Sequence, residues 1–199
     1  MKKSSFFFYV LIAVVVGMVV YMYYYSGDYD LKCVISSKDG NQYCVREREK
    51  MKDAADLLAE VGKKLNLMVQ YLKERQPDDP RTTRLVEKFD SNKICETLPT
   101  SELTAYTENK GAKVAFCLNK SKNTNSRLID LHTLTFVALH ELSHIATVST
   151  DHKQEFWENF KWVLEHAKEA GIYEPIDYKN NPREYCGMTI NDNPYYDLV

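Results

Sequence analysis

Apolar and polar positions recur along this chain with changing periods, and the changes mark its elements. Residues 6 to 25 (FFFYVLIAVVVGMVVYMYYY) carry no charge. At about 1.5 Å rise per residue they reach ~30 Å, the thickness of a bilayer's hydrocarbon core, so the pattern predicts one transmembrane helix. Tyr9 near one end, and Tyr21, Tyr23, Tyr24 and Tyr25 at the other, suit the membrane interface. A cleaved signal peptide would have a shorter apolar run and a small-residue cleavage site, which YYYSGDYD lacks. Lys2 and Lys3 precede the span and Asp28 and Asp30 follow it. The positive-inside bias then predicts a cytoplasmic N-terminus with the rest of the chain across the membrane, an orientation that Lys32 and Lys38 weaken.

Beyond the span the period becomes helical. Ala54, Leu58, Val61, Leu65, Met68 and Leu72 form a single stripe, which predicts one long helix over residues 46 to 74 packed on the domain that follows. Arg46, Glu47, Arg48, Glu49, Lys50 and Lys52 read as its mixed-sign solvated face. Pro77-Asp78-Asp79-Pro80 ends that helix, and a short one follows over about 81 to 89. Ile94, Cys95 and Thr97 suggest a strand. β-favouring residues on both sides of Glu108-Asn109-Lys110-Gly111 predict a hairpin over about 104 to 118. Residues 119 to 127 are a polar loop. Two helices then follow. That over about 130 to 147 is apolar nearly all round and therefore buried. The other, over about 152 to 170, is amphipathic, with Asp151 as N-cap and Gly171 at its end. The Pro- and Asn-rich tail from Tyr173 wraps the surface.

Composition narrows the function classes. A net charge of −2 leaves no basic field to hold nucleic acid, so no nucleic-acid partner is expected. Five Cys are too few for a disulfide scaffold. Cys33 and Cys44 flank the turn-rich SSKDGNQY, which suits either a disulfide-closed hairpin or two unpaired thiols. Cys95, Cys117 and Cys186 leave an odd count. Asn119-Lys120-Ser121 is a glycosylation sequon if the domain is luminal.

The chemistry lies in the buried helix, in His140-Glu141-Leu142-Ser143-His144. Two His four apart lie on one face, one above the other, so both imidazoles reach a single ion. Glu141 projects beside it, where a carboxylate takes a proton from metal-bound water. A catalytic zinc needs a third protein ligand and an open position. His152, past a short loop at the start of the next helix, is the candidate, with Glu155 and Glu158 as the fallback ligands. The competing reading is two core His hydrogen-bonded to a carboxylate. It leaves Glu141 in the same apolar helix unexplained. His132 at the helix start and His166 in a last helical turn are assigned to no metal.

VALHELSHIATVSTDHKQEFWENF resembles the active-site segment of the WLM-type metallopeptidases, a group that includes a yeast DNA–protein crosslink protease and is related to the SprT-like enzymes. In that pattern a HELxH helix is followed by a His ahead of an aromatic helix start, here His152, Phe156 and Trp157. KVAFCLN matches its upstream strand. ETLPTSELTAYTENKGAKVAFCL and PREYCGMTINDNPYYDL extend the likeness to small metallopeptidases of large DNA viruses. The chain departs from the WLM pattern in a longer gap between His144 and His152. It also has no basic patch for chromatin, so crosslink repair is not carried over.

The resemblance implies an α+β, minimal zincin-like domain: an active-site helix and a small antiparallel sheet. The expected organisation is a signal anchor over 1–27, a juxtamembrane linker over 28–45 and a metallopeptidase domain over 46–199. The expected function is a membrane-anchored zinc peptidase acting on polypeptides, with one Zn2+ on His140, His144 and His152 and Glu141 as general base. The strand near Val114 to Leu118 is expected to present an edge to extended substrate. Tyr185 is either an oxyanion donor or a core aromatic. The alternative is a non-catalytic membrane or virion protein that keeps the fold. A structural zinc site would have no use for Glu141 and would favour four closed ligands.

Overall fold

The stripe from Ala54 to Leu72 is buried along its whole length in α2 (Met51–Arg75). The computed structural model that resolves this describes residues 2–25, 31–121 and 127–197. The helix begins later than its periodicity predicts, because residues up to 46 belong to a hairpin. β1 (Leu31–Ile35) pairs antiparallel with β2 (Gln42–Arg46), and a Cys33–Cys44 disulfide bridges them. Tyr43 and Val45 alternate into the core, so this stretch is a packed element rather than a linker. Asp56 of α2 holds the turn. It accepts from Ser36 Oγ at 2.7 Å, Ser37 N at 2.7 Å and Ser37 Oγ at 2.6 Å.

Arg46 and Arg48 are not on a solvated helix face. They run inward to Glu96, whose side chain is fully buried. Glu96 Oε2 accepts from Arg46 N at 2.7 Å, and its Oε1 pairs with both guanidinium groups. Arg48 also donates to Asn119 Oδ1. Asn119 is therefore engaged and buried in the folded protein.

After α3 (Pro80–Lys88), N-capped by Asp79, comes a three-stranded sheet. Its strands are β3 (Ile94–Glu96), β4 (Ala105–Glu108) and β5 (Lys113–Phe116). Their order is β3-β5-β4, with β3 parallel and β4 antiparallel to β5. The sheet is thus mixed rather than antiparallel. β5 is the buried central strand, and the edge expected on it belongs to β4. The predicted hairpin is β4–β5. Its turn runs through Asn109, Lys110 and Gly111 at positive φ. Gly111 is required there, since a Cβ would lie 2.6 Å from the Lys88 carbonyl oxygen.

α4 (Leu131–Ala146) packs against α2, α3 and α5 (Gln154–Glu169). Asp130 caps α4, accepting from Thr133 N at 2.8 Å. Asp151 does not cap α5. It lies at φ +66 in the loop that turns the chain back, and Lys153 occupies the cap position. The tail forms a last hairpin, β6 (Arg183–Tyr185) with β7 (Met188–Ile190), tied to the end of β5 by a Cys117–Cys186 disulfide. Cys95 is left as the free thiol.

The expected transmembrane helix is corrected. α1 (Lys2–Tyr25) is helical, and its described side chains, residues 7 to 22, are exposed. Among the described residues no helix is long and apolar enough to cross a membrane. The single-pass placement and the orientation drawn from Lys2 and Lys3 are withdrawn with it.

Candidate metal centre

One face of α4 presents His140 and His144 one turn apart, and the Ala146–Asp151 loop returns His152 to meet them. One nitrogen from each ring lies within 4.8 Å of the others. His140 Nε2 and His152 Nε2 are 3.0 Å apart. Ring centroids are separated by 5.0 Å for His140–His144 and 4.9 Å for His144–His152. Phe156 backs the cluster, stacking on His144 at 4.3 Å. Trp157 Nε1 donates to the His152 carbonyl at 3.1 Å and fixes the end of the loop.

The loop owes its shape to three clamps. Lys110, from the β4–β5 turn, donates to the carbonyl oxygens of His144, Thr147 and Ser149 at 3.1, 2.9 and 2.7 Å. A cation at these C-terminal carbonyls also complements the dipole of α4. Asn159 Nδ2 donates to Thr147 Oγ1 at 2.9 Å. The Glu155 carboxylate accepts from Val148 N at 2.9 Å and Ser149 N at 3.0 Å. Glu155 is thus a loop clamp, and Glu158 accepts from Gln154 on the exposed face of α5. Neither fallback ligand joins the three His.

Those two amide hydrogen bonds hold the Glu155 carboxyl down at about 2. Its folded value lies below the unfolded one (~4.3), so its contribution to stability is fully present above ~4.3. It is lost as pH falls from there to about 2. The melting-temperature gap between wild type and Glu155→Gln should therefore be largest near neutrality and close over that window. A gap constant from pH 6 to pH 2 would exclude the clamp.

Electrostatics suit a metal. Burial, and then the neighbouring His144 and His152, push His140 down to about 3. Burial, His152 and Lys110 push His144 down to about 4. Both rings are neutral near pH 7, with a lone pair free for an ion. Glu141 is also buried, and desolvation raises its carboxyl to about 7 against the pull of one hydrogen bond from Thr107. Thr107 Oγ1, on β4, donates to Glu141 Oε2 at 2.9 Å.

Tyr185 lies under the tail, its hydroxyl donating to the Thr104 carbonyl at 3.1 Å. Burial and the nearby Glu141 charge raise its pKa. Those contacts make it the anchor of the segment leading into β4. His132 meets the Tyr173 ring in a tilted contact at 4.6 Å, and His166 Nδ1 bonds the Trp162 carbonyl at 2.8 Å; neither belongs to the cluster. Thr107 and Lys110 escaped the sequence reading, because a Thr in a strand and a Lys in a turn carry no signal of what they touch.

The WLM domain family matches residues 38–194. The chain belongs to that family. The WLM match starts inside the β1–β2 hairpin and takes in the three His, Glu141 and the tail hairpin. WLM domains form a family of zinc-dependent peptidases, and a cluster of three His is present in this chain. Uncharacterized protein R325 of Acanthamoeba polyphaga mimivirus is 29% identical over 164 residues, covering 80% of this chain and 82% of that protein. Uncharacterized protein 136R of Invertebrate iridescent virus 6 is 32% identical over 82 residues, covering 41% of this chain and 44% of that protein. No solved structure matches.

Proposed function

We propose that this WLM domain is a zinc-dependent endopeptidase with His140, His144 and His152 as ligands and Glu141 as general base. The observation that carries this reading is the convergence of three imidazoles with a buried carboxyl next to them. The donor set fits zinc: three neutral nitrogen ligands from the protein are the pattern of a catalytic site, which keeps a position open. When bound, zinc supplies Lewis-acid polarisation of the scissile carbonyl and lowers the pKa of a water toward ~7.

The remaining steps belong to the chain. Glu141 takes a proton from the attacking water on its carboxylate and delivers it to the leaving amine. A carboxyl near neutrality can do both, and the Thr107 hydrogen bond keeps Oε2 oriented. Phe156 and Phe160 pack edge-on against the His140 ring. An extended polypeptide aligns along β4, an edge strand of the sheet; Ala105 at its start and Thr104 just before it line the cavity beside His140.

The test is metal stoichiometry of the full-length protein beside its His152→Ala variant. One zinc per wild-type chain is expected. The variant should bind at least about 100-fold more weakly, since even partners of a ligand are worth 10–100-fold. Folded wild-type protein that takes up no zinc when supplied with it would overturn the reading.

A further inference from the structure

The cavity beside the His cluster is larger and more apolar than hydrolysis of a peptide bond requires. Its volume is about 820 Å³, near the upper end of the usual range for ligand sites. Phe136 and Val137 of α4 lie one helical turn before His140 and Glu141, so they open directly onto the reacting centre. Phe160 of α5 packs on Phe136 in the same wall, with ring centroids 5.3 Å apart, and Ile190 and Pro194 of the tail form another wall. Leu103 and Met188 stand exposed at the mouth, and Trp157, which packs on Phe156, is exposed beside them.

The tail wall is fixed in place. The Cys117–Cys186 bridge, the Tyr185 bond to Thr104 and Asn193 Nδ2 to the Ile176 carbonyl at 2.8 Å hold it from three sides. The acidic groups at the rim are already partnered where the tail supplies them: Lys179 pairs with Asp192 at 3.2 Å and Asp197 at 2.7 Å. The pocket is therefore preformed, and apart from His140 and Glu141 at the reacting centre its inner wall is built from Phe136, Val137, Phe160 and Ile190.

We propose that this pocket is the main specificity subsite and that it takes a large aliphatic or aromatic side chain flanking the scissile bond. The substrate class is then polypeptide exposing large apolar residues, as unfolded or extended segments do. Val137 and Ile190 set the depth. The proposal rests on the peptidase reading above.

The test uses the zinc-loaded full-length protein and a pool of synthetic peptides randomised around a central position, with products mapped by mass spectrometry and Glu141→Gln as the blank. Leu, Met and Phe should exceed Ala and Gly at least about tenfold at one position flanking the cut, the scale of a few methylenes in an apolar pocket. Val137→Phe should fill the pocket and shift the preference to small residues. Ile190→Trp, on the tail hairpin, makes the same test from the opposite wall should the first variant not fold. Cleavage without an apolar preference, or a preference that neither filled variant changes, overturns the subsite and leaves the peptidase. Wild type that cuts no more than the blank overturns the peptidase reading and this proposal together.

Discussion

Glu141→Gln should retain one zinc and lose at least about 10²-fold in kcat, the scale of a positioned general base. The amide keeps the shape of the side chain and its hydrogen bond with Thr107, but it cannot hold a proton near neutral pH. Metal content and peptide turnover on the same preparation decide it. Turnover equal to wild type would remove Glu141 from the mechanism. Tyr185→Phe in the same assay separates two roles for that residue. Its hydroxyl is engaged by the Thr104 carbonyl, so kcat should stay within a few-fold while the protein loses stability. A kcat loss as deep as that of Glu141→Gln would instead assign the tyrosine to the developing oxyanion.

The second large effect lies in the buried ion pairs of Glu96 with Arg46 and Arg48. Glu96→Ala should destabilise the protein by about 3–5 kcal/mol, a sizeable part of the ~5–15 kcal/mol that holds a typical domain together. Glu96 is fully buried between Arg46 and Arg48, so removing it strands two guanidinium groups whose side chains are almost completely covered. Denaturant unfolding reads the loss directly. A change below about 1 kcal/mol, the range of exposed pairs, would mean that water reaches these arginines in solution.

These two cases show where the sequence is legible and where it stops. Periodicity found α2, α4 and α5, because each buries a stripe and the stripe is visible without knowing the partner. Spacing alone brought His140, Glu141 and His144 to one helix face, since the helix itself supplies their geometry. The turn-rich stretch between Cys33 and Cys44 allowed either a disulfide-closed hairpin or two unpaired thiols, and the fold selects the hairpin. The misses are non-local. Arg46 and Arg48 read as solvated because an arginine's burial depends on a carboxylate fifty residues away. Three remaining cysteines permit several pairs, and only the fold selects Cys117 with Cys186. The parallel register of β3 on β5 needs a crossover that no local pattern encodes. Asp151 looked like a helix cap because its residue type suits one. The chain instead uses it at positive φ to send His152 back, a demand of the site rather than of the helix. The apolar run of residues 6 to 25 was legible as a pattern, but a membrane span needs length as well as hydropathy, and no helix among the described residues meets both.

The Cys117–Cys186 bridge has a consequence for how damage to this molecule would be seen. Everything that makes up the metal centre after β5, including α4, α5 and all three histidines, lies in the loop that this bridge closes. A single backbone cut anywhere inside that loop leaves one covalent particle with both halves attached. A peptidase that nicks itself there would keep its mass on a non-reducing gel and fall into two pieces only once a thiol is added.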